Sequence, residues 1–175
     1  LFFLWGFGLV VEGKIGWWRY LIIYLLIGTI GGALIQLGCF LIPGLKSNAA
    51  GASLILYGLL AISLVWAPKN DVTFFYMIGY RLGVADVPIM TFGFYYIAEQ
   101  IVMAMLFLFL MSYGLAMFIL SQVGHLIGAA IGFGFGAAMF KMGMVDCENW
   151  DLFAVWKGTY GANDEFAEYR HKGFV

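Results

Sequence analysis

Long apolar runs separated by short polar interruptions make up most of the chain. Crossing the hydrocarbon core of a bilayer takes about 20 helical residues. Runs of this kind lie at residues 20–42, 51–66, 94–112 and 122–140. Residues 1–11 are also apolar but cover only about 16 Å as a helix, so we expect the second half of a further span. The pattern predicts an all-α fold, a polytopic membrane helical bundle with about five spans.

The polar interruptions indicate how the bundle is oriented. If the spans alternate in direction, residues 12–19, residues 67–86 and the chain after 140 lie on one side of the membrane. Up to residue 141, the basic residues of that side are Lys14, Arg19, Lys69, Arg81 and Lys141. The other side has only Lys46. Because basic residues favour the cytoplasmic side, these turns and the C-terminus are predicted to be cytoplasmic, with residues 72–93 as an interfacial segment.

Composition narrows the class of protein. Of the 175 residues, 63% are hydrophobic and 11% are charged, whereas a soluble domain has about 25% charged residues. This balance excludes a soluble globular enzyme and a nucleic-acid-binding protein, and it predicts an integral membrane protein surrounded by lipid. We expect a transmembrane domain at residues 1–143 and a separate, solvated, acidic cytoplasmic tail at residues 144–175.

Metal and disulfide chemistry find little support in the sequence. The two cysteines, Cys39 and Cys147, are predicted to lie on opposite sides of the membrane, so no disulfide is expected. Histidines, cysteines and carboxylates do not cluster at the spacing of metal ligands. We therefore expect neither a metal ion nor another cofactor.

A histidine inside the last span is the first candidate for chemistry, because polar groups in a bilayer are costly to bury. His125 is accompanied by glycines at four-residue intervals: Gly124, Gly128, Gly132 and Gly136. The last three lie on the same helix face as His125, and small residues let two helices approach closely. His125 is therefore expected to face a helix–helix contact. A packing histidine bonded to a backbone carbonyl is the alternative.

Helix geometry pairs this histidine with Ser53. His125 lies about 24 Å above Lys141, which marks the cytoplasmic end of its span. Ser53 lies about 20 Å above Trp66, at the same end of its own span, and near a helix N-terminus whose free N–H groups stabilise developing negative charge. A neutral histidine is the usual base for a serine hydroxyl. A local bond between Ser121 and His125 is the plainer alternative.

Three blocks of sequence, in this order, resemble the rhomboid intramembrane serine proteases. Residues 11–16 (VEGKIG) resemble the V-E-x-x-x-G turn after the second helix of that family. Residues 51–59 (GASLILYGL) resemble the nucleophile motif G-x-S-G-x-x-(Y/F)-G-L of its fourth helix. Residues 124–128 (GHLIG) resemble the A-H-x-x-G motif of its sixth helix. The resemblance covers residues 1–141.

The resemblance implies an intramembrane serine endopeptidase that cleaves transmembrane segments of other membrane proteins. Ser53 would be the nucleophile and His125 the general base, a dyad without an acidic member. Gly51 and the backbone N–H of Ser53 would support the oxyanion. Tyr57 would stack on the imidazole, and Gly128 would let the two helices touch. We also expect substrate to enter sideways past the fifth span, in a bacterial plasma membrane.

Two departures from the family pattern change what is expected. Leu54 follows the serine where the family has glycine, and its larger side chain is expected to crowd the fourth helix. The H-x-x-x-N motif of the second helix is absent, and we expect it upstream of Leu1 in a parent with six spans. One lost oxyanion donor costs about 10²–10³ in rate, so the chain alone is expected to be impaired.

Two other classes of protein stay open at this point. A catalytically inactive rhomboid-like scaffold would bind transmembrane helices without cutting them. Leu54 favours this reading, whereas the pairing of Ser53 with His125 argues against it. A small transporter or channel is supported only by Glu99 and Gln100, and Glu99 is expected near the cytoplasmic end of the fifth span, where it can reach water.

Overall fold

A computed structural model describes residues 2–41, 52–78, 80–110 and 116–161. In chain order the elements are α1 (Phe2–Ile15), α2 (Trp17–Leu41), α3 (Ser53–Trp66), β1 (Asp71–Ile78), β2 (Arg81–Pro88), α4 (Ile89–Leu110), α5 (Ala116–Lys141) and α6 (Leu152–Lys157). The predicted bundle of membrane helices is confirmed, with one β-hairpin inserted between α3 and α4.

Three helices of the described chain are long and apolar enough to cross a membrane: Trp17–Leu41, Ile89–Leu106 and Leu120–Lys141. α1 and α3 have 14 residues each, about 21 Å, which is less than the roughly 30 Å of a hydrocarbon core. Large apolar side chains such as Leu25 on α2 and Phe109 on α4 are exposed. An apolar outer surface of this extent suits contact with lipid.

The short helix α3 lies at the centre of the bundle. Ten of its 14 residues are buried. Two of its polar side chains bind neighbouring helices: the Trp66 Nε1–H donates to the Gly136 carbonyl at 2.9 Å, and the Ser63 hydroxyl donates to the Phe7 carbonyl at 3.3 Å. Buried polar groups are costly unless they are bonded in this way, so both contacts help to fix α3 between α1 and α5.

Glycines of α5 bring its backbone directly against α3. A Cβ atom at Gly128 would overlap the carbonyl oxygen of Leu54, and one at Gly132 would overlap the carbonyl oxygen of Gly58. Both helices advance by four residues between these two contacts, so α3 and α5 run parallel in a fixed register. The glycine spacing predicted such a contact, and here no side chain lies between the two backbones.

A single glycine separates α1 from α2. Gly16 has a φ of 78°, in the left-handed region that glycine adopts without a steric penalty. Its N–H donates to the Glu12 carbonyl at 2.7 Å. The polar turn predicted over residues 12–19 is therefore reduced to one residue, because Lys14 still belongs to α1 and α2 begins at Trp17.

The segment predicted to be interfacial, residues 72–93, contains an antiparallel β-hairpin. β1 and β2 pair along their whole length, and the Thr73 hydroxyl donates to the Asp86 carboxylate across the strands at 2.7 Å. The run DVTFFYMI is rich in β-branched and aromatic residues, which favour strands. Because the hairpin ends where α4 begins, that helix starts at Ile89 and not at residue 94 as predicted.

The chain after α5 packs against the end of the bundle. Val145, Cys147 and Leu152 are each at most 4% exposed. Asp151 caps α6, because its carboxylate accepts hydrogen bonds from two backbone N–H groups at 2.9 and 3.0 Å. The expectation of a separate, solvated tail is therefore wrong for residues 144–161. The acidic residues give this segment a negative net charge. A net charge does not show that the residues between them are apolar and can be buried. The rest of the predicted tail lies outside the described residues.

Replacing Gly132 by alanine tests the contact between α3 and α5. The new methyl group would meet the Gly58 backbone, which cannot move aside without separating the helices. We expect Gly132→Ala to lower the free energy of unfolding by about 1–3 kcal/mol, measured by thermal denaturation in detergent. Gly134→Ala is the matched control, since a Cβ there meets nothing within 4 Å. Equal stability of the two variants would contradict the contact.

The thiol of Cys147 reports on the packing of the chain after α5. Burial raises the pKa of Cys147 to about 11; the carboxylates of Asp151 and Asp146 act in the same direction, and Lys14 opposes them. At pH 8 about one thiol in a thousand is then ionised, and the thiolate is the reactive form. We expect N-ethylmaleimide to alkylate Cys147 at least ~100-fold more slowly in the folded protein than after unfolding, followed by mass spectrometry. A fast reaction of the folded protein at pH 8 would show that this segment is open to solvent.

Candidate active site

Ser53 is the first residue of α3. The carbonyl of the preceding Ala52 already accepts a hydrogen bond from the Leu56 N–H at 3.0 Å. The serine side chain is half-buried. Backbone N–H groups in the first turn of a helix have no partner within the helix, and the helix dipole makes this end favourable for negative charge. The helix N-terminus predicted near this serine is therefore present.

The ring of His125 on α5 stacks on the ring of Tyr57 on α3. The two ring centroids are 4.5 Å apart, and the ring planes are inclined by only 10°. Tyr57 follows Ser53 by one helical turn, so the stacking surface and the serine lie on the same side of α3. The imidazole is thus held beside the helix that carries the serine.

Ser53 and His125 also lie at nearly the same level. Because the carbonyl of Leu54 contacts Gly128 and the helices run parallel, the two residues are offset by two positions, about 3 Å along the helix axes. The hydrogen bonds formed by the described residues do not include one between the serine hydroxyl and the imidazole. Catalytic hydrogen bonds are often long before substrate binds.

A cavity of about 210 Å³ opens beside Ser53. It is lined by side chains of α1, α3 and α4: Phe7, Ser53, Leu56, Tyr57, Leu60, Phe92 and Tyr96. Phe92 and Tyr96 stack on each other with ring centroids 4.4 Å apart. The volume has room for several water molecules or one large side chain. Ser53 therefore faces open space between three helices.

His125 also makes a polar contact, with α4. Its Nδ1 lies 2.7 Å from Oε1 of Gln100, and the Nε2 of Gln100 donates to the carboxylate of Glu99. Gln100 is only 4% exposed. Ser121, the alternative local partner of the histidine, has an exposed side chain. The imidazole is thus held by α3 through its ring face and by α4 through one ring nitrogen.

The remaining predicted site residues are glycines. Gly128 packs against the α3 backbone one residue after Ser53, whereas Gly51 lies outside the described residues. Within the part of the chain that the structure describes, no group of three or more His, Cys, Asp or Glu residues could hold a metal ion.

The sequence of the chain matches the model of a known protein family. A family model for the Rhomboid domain matches residues 1–142, most of the chain. The chain belongs to the rhomboid family. Searches of curated proteins and of solved structures returned no significant match. The matched region ends one residue after α5, so α6 and the loop before it lie beyond the rhomboid domain.

Leu54, which departs from the rhomboid glycine, is accommodated in the bundle. Its side chain is 7% exposed and lies over Gly31 of α2, where an added Cβ would come within 2.6 Å of the leucine Cδ2. It does not line the cavity beside Ser53. The expected crowding of the helix is therefore relieved by a small residue on a neighbouring helix, which one rhomboid motif alone cannot reveal.

Gln100 is a site residue that sequence reasoning missed. The sequence alone links it only to a transporter, with Glu99 expected near the cytoplasmic end of the span. Because α4 begins at Ile89, both residues lie at the middle of that helix. An adjacent polar pair halfway along an apolar helix was the available signal, since such groups persist only where they find partners.

The fit of Leu54 over Gly31 predicts strong coupling between the two positions. Gly31→Ala alone should destabilise the rhomboid by about 1–3 kcal/mol, because the methyl group would overlap the leucine side chain. Leu54→Ala alone should cost about 2–5 kcal/mol through the cavity that it leaves. In the double variant the cost of Gly31→Ala should fall close to zero, as measured by a double-mutant cycle of thermal unfolding in detergent. Strictly additive effects would contradict the contact.

Proposed function

We propose that this rhomboid is an intramembrane serine endopeptidase that cleaves transmembrane segments of other membrane proteins. The observation that carries the proposal is the imidazole of His125, stacked on Tyr57 one turn from Ser53 at the N-terminus of α3. A hydroxyl, a neutral base and a helix N-terminus at one level are the groups that acyl transfer requires.

The reaction has two stages, acylation of Ser53 and hydrolysis of the resulting ester. His125 takes the proton of the Ser53 hydroxyl as its oxygen attacks the substrate carbonyl carbon, and the oxyanion binds N–H groups of the first turn of α3. His125 then gives the proton to the leaving amine, which leaves an acyl ester on Ser53. A water molecule gives a proton to the same histidine as its oxygen attacks the ester carbonyl carbon. His125 then returns that proton to the Ser53 oxygen as the ester bond breaks, and the carboxylic acid product leaves and ionises. His125 accepts and returns the proton in each of these steps.

A transmembrane substrate must unwind near the cut, because a helix hides its carbonyl groups in hydrogen bonds. Helix-breaking residues close to the scissile bond favour this unwinding. The cavity beside Ser53 is bounded by α1 and α4 as well as α3, and it offers room for one substrate side chain or for the water that lipid cannot supply. The surrounding medium is the lipid bilayer, and we place the protein in a bacterial plasma membrane with a cytoplasmic C-terminus.

A rhomboid-like scaffold that binds transmembrane helices without cutting them is the second candidate. The observation that favours it is Leu54, which stands where the family usually has glycine. Its burial over Gly31, away from the cavity, supports a site that keeps its geometry despite the leucine. A scaffold that does not cleave its partners also has no chemical need for an imidazole beside Ser53.

Cleavage of a model transmembrane substrate by the full-length protein in proteoliposomes tests the proposal. Ser53→Ala and His125→Ala should each reduce the rate at least ~10³-fold, because nucleophile and base act as one unit. Ser121→Ala is the matched control, an exposed serine one turn before the histidine, and should stay within about twofold of the wild type. Cleavage that survives Ser53→Ala refutes the nucleophile. Binding of substrate by the wild type without any cleavage favours the scaffold.

A further inference from the structure

We propose that Gln100 is a positioning residue for His125, with Glu99 fixing the orientation of its amide. The proposal rests on the peptidase function above and deepens it, since the sequence motifs imply only a serine and a histidine. The amide of Gln100 takes the place behind the imidazole that a carboxylate holds in a Ser-His-Asp triad.

The carboxylate of Glu99 decides which way the amide of Gln100 points. A carboxylate oxygen of Glu99 accepts a hydrogen bond from Nε2 of Gln100, so the NH₂ group of the amide faces Glu99. The amide oxygen then faces His125, 2.7 Å from its Nδ1. If the amide were rotated by 180°, its oxygen and the Glu99 carboxylate would face each other as two hydrogen-bond acceptors.

This orientation fixes the tautomer of the imidazole. The amide oxygen of Gln100 only accepts, so the Nδ1 of His125 must carry a hydrogen and donate it. In the neutral ring the lone pair then lies on Nε2, the nitrogen that takes the serine proton. Stacking on Tyr57 restricts the ring plane, and the bond to Gln100 restricts its rotation within that plane. Together they leave one orientation of the base.

Burial gives the contact its strength. Gln100 is 4% exposed and lies in a helix that is apolar on either side of Glu99 and Gln100. Both ends of its amide are bonded, one to His125 and one to Glu99. A buried polar network of this kind is favourable when every member is satisfied and costly when one partner is removed. Gln36 on α2, by contrast, is exposed.

The contact acts during proton transfer. When the Ser53 proton moves to Nε2, the ring becomes a cation that keeps its Nδ1 hydrogen. The amide oxygen of Gln100, polarised by the neighbouring carboxylate, accepts from that nitrogen more strongly than from the neutral ring. The interaction is therefore greater in the transition state than in the resting protein, which is the condition for a contribution to kcat.

The test compares Gln100→Met, which keeps the length of the side chain and removes the acceptor, with the double variant Glu99→Gln/Gln100→Glu. The double variant keeps an acceptor for Nδ1 of His125 and, with the amide now at position 99, a donor and an acceptor between positions 99 and 100. Ring ¹⁵N signals of His125, assigned by their loss in His125→Ala, report the tautomer without any need for activity. We expect the Nδ1–H form in the wild type and in the double variant, and a mixture of tautomers or the Nε2–H form in Gln100→Met.

Cleavage kinetics provide the second measurement. Gln100→Met should lower kcat about 10–100-fold with KM within about twofold, and the double variant should recover most of kcat. Gln36→Met, at the exposed glutamine, is the matched control and should leave kcat unchanged. An unchanged tautomer in Gln100→Met, or an unchanged kcat, overturns the positioning role while the peptidase stands. A wild type that holds the Gln100-dependent tautomer but cuts no substrate overturns the peptidase, and the positioning role with it.

Discussion

The direct contact between the backbones of α3 and α5 is the constraint on which the site depends. Gly128 and Gly132 carry no side chain that could keep the helices apart, and the carbonyl oxygens of Leu54 and Gly58 occupy the space where Cβ atoms would be. The contact sets both the distance between the helices and their register. His125 is three residues before the first of these glycines, so the register also sets its level relative to Ser53.

A close approach of two helices brings a serine and a histidine near each other, but it does not orient the imidazole. In this rhomboid the imidazole contacts two further groups: the ring of Tyr57 lies against its face, and the amide of Gln100 lies at its Nδ1. The polar groups lie within a bundle whose outer surface is apolar, so each needs a partner inside the protein. The cost of leaving them unpaired is what makes one arrangement much more favourable than the rest.

The sequence predicted the parts of this arrangement that depend on periodicity. Four-residue glycine spacing predicted the helix contact, and counting residues from polar ends predicted that Ser53 and His125 lie at similar depth. Contacts between elements whose boundaries were misplaced could not be predicted. The hairpin moved the start of α4 to Ile89, and that shift alone brought Gln100 from the expected end of a span to its middle.

Two further differences have the same origin in tertiary packing. The space that accommodates Leu54 is provided by Gly31, a glycine on another helix. Apolar residues after α5, including Cys147, are buried against the bundle although net charge predicted solvation. In each case the two residues or segments in contact lie on different elements, so the sequence around one of them does not reveal the other.

Labelling with a fluorophosphonate tests most directly whether the imidazole activates the hydroxyl across the glycine contact. The folded full-length protein should form one covalent adduct, located on Ser53 by peptide mass spectrometry. Its rate of formation should fall at least ~100-fold in His125→Ala, since the reagent reacts with a serine only when a base takes its proton. An adduct on another serine, or an equal rate without the imidazole, would contradict the account.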